Sequence, residues 1–250
     1  MKMLKDQVAI ITGAASGIGR AAALLYAQEG AKVVVSDVDE KQGNEVTDEI
    51  KKAGGEAMFF KADISSAEDN QKLVDAAIQE YGKLDIAVNN AGIGGPLAPT
   101  AEYPLDGWQN VINTNLSGVF YGMHYQLQAM EKVGKGVIVN IASILGDVGT
   151  PMSPAYVAAK HGLVGLTKAS ALAYAAKNIR INSVGPGYIL TPLLTNNLDE
   201  DTLKMIEGLH PIGRLGTSEE VAELILWLGS SKSSFVTGSY YPVDGGYLAQ

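Results

Sequence analysis

Val8-Ala9-Ile10-Ile11-Thr12-Gly13-Ala14-Ala15-Ser16-Gly17-Ile18-Gly19 is the stretch whose reading decides the fold. Four consecutive apolar residues do not suit a strand with one wet face. They suit a short strand buried on both faces, as in a parallel sheet covered by helices. Thr12-Gly13 ends the run. From Gly17 the apolar spacing becomes helical and continues to Gln28, with Gly30 as the residue past the helix end. Strand, glycine-rich turn and helix in that order make an anion cradle. Glycines let the backbone approach a pyrophosphate, and the helix N-terminus offers free N–H groups and partial positive charge. The spacing is Gly-x-x-x-Gly-x-Gly, without the Gly-Lys-Ser/Thr of a nucleoside triphosphate loop.

The same alternation runs outward along the chain. Residues 8–11, 32–36, 57–61, 84–88, 136–141, 179–184 and 239–243 read as strands. Helical spacing occupies 17–28, 40–52, 67–81, a long stretch near 105–130, 155–175 and 219–229. Ser218 before Glu219 and Glu220 reads as a helix start. Val33-Val34-Val35 and Val137-Ile138-Val139 are apolar on both faces. The expectation is one α/β domain over 1–250, a doubly wound parallel sheet with helices on both faces. Residues 185–217 break the alternation with Pro, Gly, Asn and Leu and one short helix near 200–209. The expected substrate lid covers about 188–215.

Composition excludes other classes. In 250 residues there are 29 glycines and only 9 prolines, so the glycine serves close contacts rather than linkers. There is no cysteine, hence no disulfide and no thiolate metal site. A net charge of −8 lacks the basic footprint of a nucleic-acid binder and suits an anionic membrane surface poorly. The apolar run at 8–11 is too short for a signal peptide, and no run approaches a membrane span. A soluble, cytoplasmic protein is expected. His124, His161 and His210 are scattered without metal-ligand spacing, and no metal site is assigned.

Asp37 ends the second strand, 24 residues after Gly13. A carboxylate there accepts hydrogen bonds from both adenosine-ribose hydroxyls and repels a 2′-phosphate. No Arg or Lys stands at Ala14, Ala15 or Val38 to receive such a phosphate. NAD(H) is therefore expected over NADP(H). Tyr156 and Lys160 lie four apart at the start of a helix, on one face. A phenol is a poor base at neutral pH, and a neighbouring ammonium is expected to lower its pKa. Ser143, just past the strand at 136–141, can donate to the same substrate oxygen.

Thr12 to Gly19, Asp63, Asn89-Asn90-Ala91-Gly92, Asn115, Ser143, Tyr156, Lys160, Pro186-Gly187 and Val243-Asp244-Gly245-Gly246 follow in order and spacing. This set resembles the short-chain dehydrogenase/reductases over essentially the whole chain. The resemblance implies a seven-stranded Rossmann-type sheet, a homotetramer and a catalytic tetrad of Asn115, Ser143, Tyr156 and Lys160. Tyr156 would be the general acid or base, and Ser143 would hold the substrate oxygen. Lys160 would hold the nicotinamide ribose and tune Tyr156, while Asn115 would fix a water behind Lys160. Gly13, Ser16, Gly17, Ile18 and Gly19 would cradle the pyrophosphate. Asp63 and Ile64 would flank the adenine, and Asn90, Ala91 and Gly92 would line the cleft. Pro186, Gly187, Ile189 and Thr191 would hold the nicotinamide end. Asn89 would tie strands together, and Asp244 would be structural.

The first reading of function is an NAD(H)-dependent carbonyl reductase or secondary alcohol dehydrogenase. Leu145, Val148, Met152, Tyr188, Leu190, Leu193, Leu194, Met205, Ile206 and Leu209 would line the substrate pocket. They are almost all apolar, and no Arg, Lys or His lies between Ser143 and Tyr156. Bulky apolar ketones such as aryl ketones are expected, with Leu145 and Met205 setting selectivity. Dehydrogenation of cyclic alcohols, diols or sugars is the second reading. A 3-oxoacyl-carrier-protein reductase is third, opposed by Asp37 and by a lid whose only cations are Lys204 and Arg214. A non-catalytic dinucleotide sensor has no use for the four tetrad residues together.

Overall fold

The computed structural model describes residues 2–195 and 199–250. Seven strands form one parallel sheet: β1 (Val8–Thr12), β2 (Lys32–Asp37), β3 (Glu56–Lys61), β4 (Ile86–Asn89), β5 (Gly136–Ile141), β6 (Ile179–Pro186) and β7 (Tyr240–Val243). Their spatial order is β3-β2-β1-β4-β5-β6-β7, so the sheet's direction of growth reverses between β1 and β4. In a doubly wound sheet the crevice at that reversal is where a ligand binds. The α/β Rossmann-type sheet expected from the sequence is therefore present.

The strands are apolar on both sides because each side meets a different helical layer. Ile11, Val33, Val35 and Val139 pack with Ala22 and Tyr26 of α1 (Gly17–Gln28), Ile50 of α2 (Glu40–Lys52) and Ile225 of α9 (Ser218–Gly229). Ile10, Val34, Ala87 and Ile138 face the other way. They meet Leu73 of α3 (Ala67–Tyr81), Met123 and Leu127 of α5 (Gly118–Val133) and Leu163 of α6 (Pro154–Tyr174). Full burial of such side chains contributes roughly 1.5–3 kcal/mol each. Adjacent residues on one strand thus belong to opposite cores.

A polar core lies beneath the carboxyl edge of β4 and β5. Asn89 Nδ2 donates to Asn140 Oδ1 at 2.9 Å, and Gln126 Nε2 donates to Asn89 Oδ1 at 2.8 Å. Asn140 Nδ2 donates to Thr167 Oγ1 at 3.0 Å, and that hydroxyl donates to the Leu163 carbonyl. Asn89 ties β4 to β5 and α5, as the resemblance implied.

Several boundaries differ from the sequence reading. β4 starts at Ile86 rather than 84, because Asp85 turns its carboxylate back to the Val8 amide at 2.9 Å. The long helix expected near 105–130 is α4 (Leu105–Ile112), one wide π-turn over Asn113–Ser117, and α5. The region between β6 and α9 holds two short helices, α7 (Pro192–Thr195) and α8 (Glu200–Glu207), instead of one. The expected lid also includes residues 196–198, which lie outside the described residues. Among the described residues no helix is long and apolar enough to cross a membrane.

The start of α9 shifts by one residue. Thr217, not Ser218, is the N-cap: its hydroxyl accepts from the Glu220 amide, and the Glu220 carboxylate accepts from the Thr217 amide. This reciprocal pair satisfies two end amides at once. Thr217→Ala is expected to cost about 1 kcal/mol, a fall of roughly 2–4 °C in Tm for a chain of this size. Ser218→Ala should cost less. A thermal melt in which Ser218→Ala is the more damaging change would place the cap at Ser218.

Candidate active site

The site grows from a close approach at the reversal point. Gly13 and Gly17 have φ of +63° and +54°, where side chains are strained. A Cβ on Gly13 would stand 2.7 Å from the Ala91 Cα, and one on Gly19 only 2.1 Å from the Gly13 carbonyl oxygen. Asn90 holds the two strand ends together. Its Nδ2 donates to the Thr12 and Gly13 carbonyls at 2.9 and 3.1 Å, and its own amide donates to Thr12 Oγ1 at 3.1 Å. Ser16 is the N-cap of α1, but its side chain makes no capping bond, so that helix end keeps amides free toward the cleft.

The cleft encloses about 350 Å³. Gly13, Ser16, Gly17 and Ile18 form one wall, and Asp37, Asp63 and Ile64 another. Asn90, Ala91, Gly92 and Thr191 complete it. Gly19 lies behind this surface, where its missing side chain admits the Gly13 carbonyl. Asp37 accepts from the Ala15 amide at 3.0 Å and from the Asp39 amide at 3.1 Å, which fixes its carboxylate at the end of β2. Asp63 accepts from the Ser65 amide and hydroxyl. Ser36, Val38, Ala62, Ile93, Thr114 and Pro192 also line the cleft, and the sequence reading missed them; Leu193, expected in the substrate pocket, lines it too. Each neighbours a residue that it did find.

The nicotinamide-end group divides. Thr191 reaches the cleft, and a Cβ on Gly17 would lie 3.2 Å from its methyl, so the segment after β6 rests on the glycine-rich turn. Gly187 and Ile189 line a second cavity of about 330 Å³ with Tyr188 and His210. Pro186 ends β6 and lines neither of these cavities. Gly187 sits there because Asp244 Cα would be 2.9 Å from any Cβ, and Ile189 because it bridges to Gly216. Asp244 accepts from the Gly246 and Leu248 amides, a structural role.

The tetrad residues come from three elements. The π-turn aims Asn115 inward, where it is fully buried. Its amide clasps Ile93, Oδ1 accepting from the Ile93 amide at 2.8 Å and Nδ2 donating to the carbonyl at 2.7 Å. Lys160 Nζ is buried, donates to the Ile141 carbonyl at 2.8 Å and lies 5.4 Å from the centre of the Tyr156 ring. Across Gly92 it faces Asn115: a Cβ on Gly92 would be 3.1 Å from Asn115 Oδ1 and 3.7 Å from Lys160 Nζ. Tyr156 is half-buried, and the Ser143 hydroxyl accepts from the Leu145 amide at 3.2 Å.

Burial pushes the Tyr156 phenol above its ordinary value. The Ser143 hydrogen bond pulls it down, and the nearby Tyr188 pushes it up. Burial also lowers Lys160 to about 8. The expected lowering of Tyr156 by the ammonium is thus not seen in the protein alone. Lys160 spends its bond on Ile141, and desolvation of both groups prevails.

One supporting residue had no sequence signal. Tyr240 of β7 donates its hydroxyl to the Ser143 carbonyl at 2.8 Å, and Gly185 makes the room, since a Cβ there would stand 2.1 Å from that oxygen. The pocket candidates are mixed. Leu145 and Ile206 are buried, and Val148, Tyr188 and Leu194 are half-buried. Met152, Leu190, Leu193 and Leu209 are exposed, and Met205 is 63% exposed. Ile206 is buried, and the His210 ring nitrogen Nδ1 lies 2.9 Å from its carbonyl oxygen.

Comparison with known proteins identifies the family. A family model described as enoyl-(acyl carrier protein) reductase matches residues 13–248. A cyclohexanol dehydrogenase of Acinetobacter sp. is 51% identical over 98% of this chain and 96% of its own. A cis-4-hydroxycyclohexanecarboxylate dehydrogenase of Sinomonas cyclohexanicum is 44% identical, covering 98% and 97%. The crystal structure of levodione reductase superposes with a TM-score of 0.96 at 35% identity, covering 98% of this chain and 99% of that one. The chain belongs to the short-chain dehydrogenase/reductase family. It is an oxidoreductase of the kind that uses a nicotinamide dinucleotide.

Two outcomes test the site's energetics. Lys160 is about 8 in the folded chain against an ordinary 10.5. Between those values the unfolded chain holds the extra proton, so this group's penalty on folding is full below pH 8 and fades toward 10.5. Lys160→Met should therefore gain stability relative to the parent at pH 7, and the gap should narrow by pH 10. Denaturant titration of the cofactor-free protein reads this, and a gap that widens with pH would contradict it. Tyr240→Phe should lower kcat by about fivefold through a loosened Ser143 while leaving the cofactor KM unchanged, since one hydrogen bond of about 1 kcal/mol is lost. Unchanged kcat would dismiss Tyr240 as a support.

Proposed function

We propose that this protein is an NAD(H)-dependent dehydrogenase of alicyclic secondary alcohols, interconverting a ring alcohol and its ketone. The observation that carries the reading is Asp37. Two backbone amides hold its carboxylate at the cleft, and Ala14, Ala15 and Val38 supply no cation around it. The glycine cradle fits a dinucleotide, because side chains at Gly13 and Gly19 would collide where the backbone must stay low. The relatives support the second sequence reading, ring alcohols, over the aryl ketones placed first. Cyclohexanol, 4-hydroxycyclohexanecarboxylate and 2,5-dichloro-2,5-cyclohexadiene-1,4-diol appear in their names. The exposed Leu190, Met205 and Leu209 suit an apolar ring, with α7 and α8 as the lid.

A dinucleotide held by the Gly13–Gly19 turn and Asp37 would supply hydride exchange at the carbinol carbon. The protein's own work is proton transfer and positioning. Ser143 holds the substrate oxygen, and Tyr156 takes the hydroxyl proton in oxidation and returns it in reduction. Lys160, anchored on Ile141, keeps positive charge beside the phenol. Asn115 secures Ile93 and with it the wall of the cleft. The acceptor form of Tyr156 is phenolate, which burial disfavours, so oxidation should rise with pH through the alkaline range and reduction should fall. Parallel profiles in the two directions would count against this role. Tyr156→Phe should lower turnover by ~10²–10⁴ with cofactor binding retained.

The direct test is NAD+-linked oxidation of cyclohexanol, 1-phenylethanol and a sugar alcohol. The highest kcat/KM is expected for cyclohexanol. A preference for the sugar alcohol would overturn the reading, and a preference for 1-phenylethanol would return it to aryl substrates. We assign the protein to the cytoplasm and to a homotetramer. Leu105 of α4 and Leu172 of α6 are 87% and 85% exposed, and Phe120 of α5 joins them in offering apolar surface for association.

A further inference from the structure

Behind the catalytic tyrosine lies a polar group that the mechanism above does not use. Tyr103 is only 7% exposed, and its hydroxyl has no hydrogen-bond partner among the described residues. An unpaired buried hydroxyl is destabilising, and such groups are uncommon enough to need a reason. Tyr103 clusters with Val111 of α4 and with Ala155 and Ala159 of α6, and Tyr156 packs against the same cluster. Tyr103 therefore shares its packing with Tyr156 itself.

A short bridge separates that hydroxyl from solvent. Gly95, at φ +77°, lies over it, for a Cβ there would stand 2.7 Å from the Tyr103 hydroxyl oxygen. The bridge is pinned at both ends. Ile93 is clasped by Asn115, and the Ala98 amide donates to the Met152 carbonyl at 2.8 Å. Met152 itself is held at φ +71° beside the tetrad. Between the pins, residues 94–97 make no hydrogen bond to any described residue. A Cβ at Gly94 would meet nothing within 4 Å. Two glycines without hydrogen bonds form a cover that a ligand displaces at little cost. The pinned ends keep the catalytic wall in place while the middle moves. Burial raises the Tyr103 phenol, so it stays a neutral donor across the working range.

We infer that Tyr103 is a second polar anchor of the substrate pocket, hydrogen-bonding a hydroxyl or carbonyl on the ring carbon opposite the one that reacts. The inference rests on the alicyclic reading above and extends it: the preferred substrates carry a second oxygen across the ring. Such a substrate shifts residues 94–95 aside and gives the Tyr103 hydroxyl the partner it lacks. Because that contact is the same before and during hydride transfer, it acts on KM more than on kcat.

The experiment compares NAD+-linked oxidation of cyclohexanol, cis-cyclohexane-1,4-diol and trans-cyclohexane-1,4-diol by the parent and by Tyr103→Phe. The parent should favour at least one diol over cyclohexanol. The substitution should lower kcat/KM for that diol about tenfold, mainly through KM, as expected for one lost hydrogen bond. Cyclohexanol should stay within about twofold, and Tm should hold or rise because an unpaired hydroxyl is gone. An unchanged diol-to-cyclohexanol ratio would overturn the anchor. Equal losses on all three alcohols would also overturn it, leaving Tyr103 as packing for Tyr156. If the parent oxidises none of the three, the alicyclic reading fails first and the anchor falls with it. Turnover of cyclohexanol without discrimination by Tyr103→Phe defeats the anchor alone.

Discussion

The contact on which the site depends is the one between the ends of β1 and β4. Asn90 spans it, donating to the carbonyls of Thr12 and Gly13, while Thr12 accepts from the amides of Asn90 and Ala91. The reversal in strand order opens a crevice there, and this contact sets how far it opens. Gly13 and Gly19 are required by it, since a methyl group at either would strike backbone. The positions of Asp37, the α1 N-terminus and Thr191 all follow from where that turn lies.

A second constraint joins the cleft to the chemistry. The π-turn at Asn113–Ser117 buries the Asn115 side chain against Ile93, just past β4. A regular helix would carry Asn115 to a different angle and leave both Ile93 polar groups without that clasp. The same short stretch, Gly92 and Ile93, separates Asn115 from Lys160. Below it, the polar core from Asn89 through Asn140 to Thr167 fixes β4, β5, α5 and α6 relative to one another. Tetrad residues carried by separate elements therefore rest on one hydrogen-bonded base.

What the sequence made legible was local and periodic. Val33-Val34-Val35 announced a strand buried on both faces, and the alternating membership of those residues in two cores explains why. Asp37 was readable from its distance to Gly13, and the candidate tetrad from the family resemblance. The rest depended on contacts between distant residues. Tyr240 supports Ser143 from 97 residues away, and nothing in its neighbours marks it. The packing of Gly187 on Asp244 and the bridge from Ile189 to Gly216 also join residues far apart in the chain. The choice between Thr217 and Ser218 turned on which hydroxyl reaches the Glu220 amide, a question of one backbone rotation. That the Tyr103 hydroxyl finds no partner among the described residues is likewise a fact of packing.

The central claim is that this cleft holds a dinucleotide whose adenosine ribose meets the Asp37 carboxylate. Titration of the purified protein with NADH and with NADPH, followed by cofactor fluorescence at low ionic strength, tests it without any assumption about the alcohol. The account predicts that NADH binds at least about tenfold more tightly, because a 2′-phosphate would meet the Asp37 carboxylate, and Ala14, Ala15 and Val38 offer it no cation. Equal affinities, or tighter binding of NADPH, would contradict it.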